Sequence, residues 1–153
     1  MSSELCGCGW TRTCAGAGHA DGYNGSAMTT RDCPFCKLGT DRIWLESAMT
    51  IAFLDGFPVS EGHTLLIPKR HVASVFELGA EELRELWQQV GEVRHCLWER
   101  YRPDGFNVGI NDGQAAGQTV AHAHIHVIPR RTGDVLDPRG GVRWMMPDKA
   151  RYW

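Results

Sequence analysis

The sequence predicts an α+β fold built around a mainly antiparallel sheet. Several short apolar segments end at turn residues, one long segment has helical periodicity, and that segment falls between strands instead of alternating with them. With 153 residues the chain has room for one domain and not for two sizeable cores.

Thr50-Ile51-Ala52-Phe53-Leu54 reads as a strand ended by the Asp55-Gly56 turn, and His63-Thr64-Leu65-Leu66-Ile67 as a second strand stopped by Pro68. From Ala80 to Tyr101, Leu83, Leu86, Trp87, Val90, Val93, Leu97 and Trp98 fall on one helical stripe. Acidic residues open this helix and Arg102-Pro103 closes it, as the macrodipole and the geometry of proline require. Phe106 to Ile110 is a third strand, running into the Gly-rich loop Asn111 to Gly117, and His122 to Ile128 is a fourth. Residues 1–28 are rich in Gly, Ala and Ser, without period, and read as a flexible extension; 29–153 are the folded domain with a C-terminal tail. Cys6, Cys8, Cys14 and His19 fit no common zinc module and read as tail residues with free thiols. The tail from Asp137 to Trp144 either orders against the sheet or reaches a partner subunit.

Composition narrows the function classes. At 42% hydrophobic and 22% charged the chain is ordinary for a globular protein. A net charge of -2 gives no electrostatic reason to bind nucleic acid or an anionic membrane, so small-molecule chemistry is the default. No apolar run approaches membrane length and no secretory pattern opens the chain, which implies the cytoplasm, where cysteines are available as metal ligands.

The strongest motif is His122-Ala123-His124-Ile125-His126-Val127-Ile128. Strand side chains alternate faces, so the three histidines project to one side while Ala123, Ile125 and Val127 face the other and can pack on the helix. Three exposed histidines on a solvated face would be the bland alternative. A three-histidine metal site fits poorly, because ligands along one straight strand diverge. Cys33-Pro34-Phe35-Cys36 is a second motif; a redox pair would need a thioredoxin-like βαβ context, which is absent.

HAHIHVI resembles the signature of the histidine-triad (HIT) superfamily, and its flanks GHTLLIPKRH and NDGQAAGQTV resemble the neighbouring family blocks, from about Cys33 to Arg131. The branch it looks like acts on nucleoside phosphoramidates and dinucleoside polyphosphates. The resemblance implies a sheet of about five strands with one long and one short helix, and a homodimer joined edge to edge. It also implies that His124 is the nucleophile, becoming transiently nucleotidylated. An imidazole is mostly neutral at pH 7 and both attacks and leaves phosphorus readily. His126 would contact the phosphate or leaving-group oxygen and aid proton transfer, with His63 as the fourth family histidine beside it. Asn111, Gln118 and Thr119 would donate to phosphate oxygens, and Asp55 would hold the ribose hydroxyls. Left to the residues alone, Asp55 reads equally as a turn-forming residue and His63 as a partly buried strand histidine. Cys33, Cys36, His71 and His122 would complete a tetrahedral site of zinc type, as in some relatives and in the related hexose-1-phosphate uridylyltransferases.

Three functions follow. The first is a hydrolase in which water resolves nucleotidyl-His124, with an adenosine-containing substrate class as the expectation. The second is a nucleotidyltransferase or phosphorylase, in which phosphate or a sugar phosphate resolves it. The uridylyltransferases carry Gln where this chain has His126, which favours hydrolysis. The third is a zinc-stabilised nucleotide-binding module.

Overall fold

Four strand segments and one helix are legible in the pattern, and a computed structural model, which describes residues 30–152, places them in one sheet. The extension over 1–28, with Cys6, Cys8, Cys14 and His19, lies outside the described residues. Strands β1 (Ile43–Glu46), β2 (Thr50–Leu54), β3 (Thr64–Pro68), β4 (Gly105–Ile110) and β5 (Ile125–Arg130) run in the order β1-β2-β3-β5-β4. Every pairing is antiparallel. Between β3 and β4 comes α1 (Ala80–Tyr101), and a single turn, α2 (Pro147–Ala150), lies near the C-terminus.

Helix α1 begins where the Gly79 amide donates to the Glu82 carboxylate at 2.9 Å and ends where Arg102 turns left-handed, at φ 46°. Its buried seam is Leu86, Val90, Val93 and Leu97, packed on Ala52, Leu66, Ile125 and Val127 of the sheet. Each such aliphatic contributes about 1.5–3 kcal/mol through burial. Two polar ties fix the register of helix on sheet. Thr50 Oγ1 hydrogen-bonds Gln89 Oε1 in the interior, and Glu85 accepts from the Met49 amide at 2.7 Å.

The pattern needs three corrections. Trp87 and Trp98 do not belong to the buried seam: they stand 47% and 41% exposed, one helical position beyond Leu86 and Leu97, and Arg102 stacks on the Trp98 ring at 4.2 Å. The last strand starts at Ile125, not His122. The segment before it bonds elsewhere, the Ala123 amide donating to the Val72 carbonyl at 2.7 Å, because the chain leaves β3 at Pro68 and carries Val72 alongside. Strand β1 was not legible, since Ile43-Trp44-Leu45-Glu46 does not alternate and its pairing with β2 is irregular between Ile43 and Leu45.

The face away from α1 carries a smaller apolar cluster of Phe53, Leu65 and Ile67, covered by Phe35 and Leu38. Leu65 lies opposite His126 in the β3–β5 register, so β5 delivers this histidine to the same face. The tail folds back on its own chain: Gly141–Met145 lie beside β4, and Trp144 Nε1 donates to the Arg139 carbonyl at 2.8 Å. No helix among the described residues is long and apolar enough to cross a membrane.

Candidate active site and metal centre

Three histidines alternate along the chain into β5 and meet on the face opposite α1, as the sequence predicts, with the rings of His124 and His126 5.0 Å apart. His124 is 5% exposed. Its Nδ1 lies 2.7 Å from the His122 carbonyl, which can only accept, so Nδ1 carries the proton and Nε2 keeps its lone pair. Burial holds His124 below the usual imidazole range, partly offset by that hydrogen bond and by Asp55, and the ring is therefore a free base at neutral pH.

His63 links Asp55 to His126. Its Nε2 lies 3.0 Å from His126 Nδ1, and its Nδ1 lies 3.3 Å from both the Asp55 carboxylate and the Val59 amide. The carboxylate needs a proton on Nδ1 and the amide needs a lone pair there, so the two contacts belong to alternative tautomers of a ring held in one place. With Asp55 as partner, both histidines carry their protons on Nδ1, and His126 Nε2 presents a lone pair. With Val59 as partner, the protons sit on both Nε2 atoms and His126 becomes a donor. His126 Nε2 is buried with no hydrogen-bond partner among the described residues. Burial, then the neighbouring His124 and His63, pushes His126 down to about 4. Burial likewise lowers His63, against the pull of Asp55.

Asp55 makes the turn contact and also faces the histidines. Oδ1 accepts from the Phe57 amide at 2.9 Å, a turn-forming bond, while Oδ2 faces His63. A carboxylate has about four lone-pair sites, so two are left for ligand hydroxyls. The Gly-rich loop is pinned by Gln118, whose amide accepts from the Gly113 N–H at 2.8 Å and donates to the Ala73 carbonyl at 2.7 Å. Gln118 is thus a loop staple in this structure, not a free donor. Asn111 sits at the loop's entrance, its Nδ2 3.9 Å from where a Cβ on Gly117 would stand, and Thr119 is exposed. Gly117 has φ +88°, which glycine adopts without strain.

Cys33, Cys36, His71 and His122 present ligand atoms all within 4.8 Å of one another. His122 Nδ1 lies 3.5 Å from each of the two sulfurs, and His71 Nδ1 lies 3.3 Å from Cys36 Sγ. A tetrahedral zinc with sulfur at about 2.3 Å and nitrogen at about 2.0–2.1 Å sets S···N edges of about 3.6 Å, so the donors already stand near the spacing a tetrahedral ion imposes. His122 Nε2 donates to the Pro68 carbonyl at 2.8 Å, which leaves Nδ1 as the lone-pair atom facing the sulfurs. With no ion, burial and the adjacent Cys33 push the Cys36 thiol up to about 11.

A model of the HIT domain matches residues 39–133. The chain belongs to the HIT domain family. The matched HIT region holds the histidines and Asp55, while Cys33 and Cys36 precede it. Among relatives, an adenylylsulfatase, HINT3, of Arabidopsis thaliana is 33% identical over 80% of this chain and 64% of its own length. An adenosine 5'-monophosphoramidase, hnt1, of Schizosaccharomyces pombe is 38% identical over 64% of this chain and 74% of its own. A crystal structure of a Zn-bound histidine triad family protein from Mycobacterium smegmatis superposes with a TM-score of 0.64 at 36% identity, over 71% of this chain and 82% of that one. HIT membership thus rests on sequence and fold together.

Sequence reasoning missed Phe35. Its ring stands 5.4 Å from His124, 6.0 Å from His122 and 5.3 Å from Phe53. The available signal was its place between the two cysteines.

Proposed function

We propose that this chain hydrolyses a nucleoside phosphate, cleaving a phosphoanhydride or phosphoramidate bond at the α-phosphate through a nucleotide held covalently on His124. The observation that carries the reading is the tautomer of His124: a buried, neutral ring whose Nδ1 proton is tied to the His122 carbonyl and whose Nε2 is free to attack. In the first step an Nε2–phosphorus bond forms and the bond to the leaving group breaks. In the second, water attacks phosphorus, the Nε2–phosphorus bond breaks, and a nucleoside monophosphate departs. His126 Nε2, buried and unpartnered, is suited to meet an oxygen or nitrogen at the leaving group, and the two tautomers of the His63–His126 pair let it donate or accept. Asp55 would hold ribose hydroxyls, and Asn111 and Thr119, with loop amides that Gln118 positions, would meet the phosphate. The relatives named for adenosine-containing substrates support an adenosine nucleotide here.

Cys33, Cys36, His71 and His122 would hold zinc as a structural ion, since four protein ligands leave no open position for water. It would pin the N-terminal knuckle to the histidine segment and take no part at phosphorus. The reading extends to a cytoplasmic homodimer. Strand β4 ends the sheet with one edge unpaired by any described strand, and an open edge is a template for a second chain. Light scattering should give twice the chain mass.

His124→Asn should abolish turnover and leave nucleotide binding within about tenfold, because the lost interaction belongs to the transition state. Rapid acid quench of the native chain should trap a nucleotidyl-enzyme. A variant with normal turnover would end the assignment. Kinetics on adenosine phosphoramidate, dinucleoside polyphosphates and adenylyl sulfate, with and without inorganic phosphate, would separate water from phosphate as acceptor and identify the leaving group.

A further inference from the structure

We infer that Phe35 is the positioning residue through which the Cys33/Cys36/His71/His122 centre orients His124, an inference that rests on the nucleophile assigned above. Phe35 is carried between two of the four metal-type donors, and its ring leaves the knuckle to lie against His124, with centroids 5.4 Å apart and planes at 82°. On another side it meets Phe53 of β2 at 5.3 Å and 64°, a strand residue only 2% exposed, so the phenyl ring is wedged against a fixed wall. His122 lies 6.0 Å away.

The His124 ring is held on one side by His126, two residues along the chain, and by two contacts from ligand-bearing segments. The His122 carbonyl fixes its tautomer at Nδ1. A hydrogen bond at a carbonyl tolerates a broad range of directions, so it leaves the tilt of the ring weakly defined. An edge-to-face aromatic contact prefers one arrangement and limits that tilt. Displacing the CxxC segment would move the Phe35 hold directly, and an ion shared with His122 would couple that segment to the carbonyl hold as well. Attack on phosphorus needs Nε2 aligned with the scissile bond, and small misplacements of an attacking group cost rate more than binding.

The test uses the zinc-loaded full chain with Phe35→Leu and Phe35→Tyr, reading kcat and KM separately, zinc per chain, and the NMR resonances of the His124 ring, which an aromatic neighbour shifts. Phe35→Leu should lower kcat about tenfold with KM within about threefold and zinc unchanged. Phe35→Tyr, which keeps the ring, should restore kcat to within about twofold. The His124 resonances should move in the leucine variant and stay in the tyrosine variant. Chelation should move them in the native chain, and move them less in Phe35→Leu. Native kcat with unmoved resonances in Phe35→Leu, a rise confined to KM, or a chelation shift equal in both chains would each overturn the inference. Loss of zinc in Phe35→Leu would also overturn it, making the ring part of the knuckle's own fold. If the native chain turns over no substrate, the hydrolase reading fails by itself, and the resonances still decide the placement of His124.

Discussion

Gly62 and Asp55, on either side of the loop that leads into His63, show how closely the site depends on single residues. Gly62 has φ +82°, and a Cβ there would stand 2.8 Å from the Tyr101 ring and 3.3 Å from Leu97. Gly62→Ala combines backbone strain with a clash against the end of α1, and should lower stability by about 2 kcal/mol. Because His63 follows directly, activity should fall further than stability predicts, measured on the folded fraction; unchanged urea midpoints would refute the clash. At Asp55 the sequence left a turn residue and a ribose ligand as equal readings, since an Asp before Gly serves either purpose. The structure shows the turn bond made by one oxygen while the other faces His63. Asp55→Asn preserves the turn acceptor but removes the charge that, in the proposed function, would accept two hydroxyls. Hydrogen bonds to a charged group contribute about 1.5–3 kcal/mol. The preference for ribose over dideoxyribose substrates should therefore drop by about tenfold or more, and a preference kept intact would remove Asp55 from the ribose.

At the scale of elements, what was legible is what repeats. Helix α1 matched its predicted span, from Ala80 to Tyr101, because seam and ends are local properties. Its outer tryptophans were misplaced because hydrophobicity alone does not separate a seam from its rim. The β5 start was misplaced because alternation continues through His122 and His124 while the ladder bonds do not. A periodic pattern reports where side chains point, not which strand accepts the amides. The CxxC knuckle is the opposite case: four donors distant in sequence converge within 4.8 Å, and only the resemblance suggested their company. Cys33→Ser with Cys36→Ser should act like chelation, lowering the melting temperature and weakening turnover without any requirement for added divalent metal in the assay. Elemental analysis of untagged protein is the direct check. Near-zero zinc with full activity and an unmoved melting temperature would leave the cysteines incidental.

The whole molecule divides its labour between the two faces of one sheet. Against α1 the core is aliphatic, with leucines, valines and Ile125 closing it. On the far face, buried imidazoles occupy positions that apolar side chains would fill more favourably, and this gives stability a pH dependence of definite sign. His63, His122, His124 and His126 are all lowered by burial, His126 to about 4. In the unfolded chain they return to about 6.5. Between these limits the unfolded state binds more protons than the native state, so stability rises with pH across this window. It is fully present above about pH 6.5 and is lost as pH falls toward 4. Turnover should follow a different course. A native imidazole held below its usual range stays neutral and nucleophilic after a free histidine would be protonated, so kcat should begin to decline only at a lower pH than a free imidazole would dictate. Urea midpoints and kcat measured together from pH 8 to pH 4.5 test the pair. Stability should begin to fall at a higher pH than kcat does; midpoints that stay flat down to pH 5, or a kcat that halves near 6.5, would show that the histidines of this face titrate as free imidazoles.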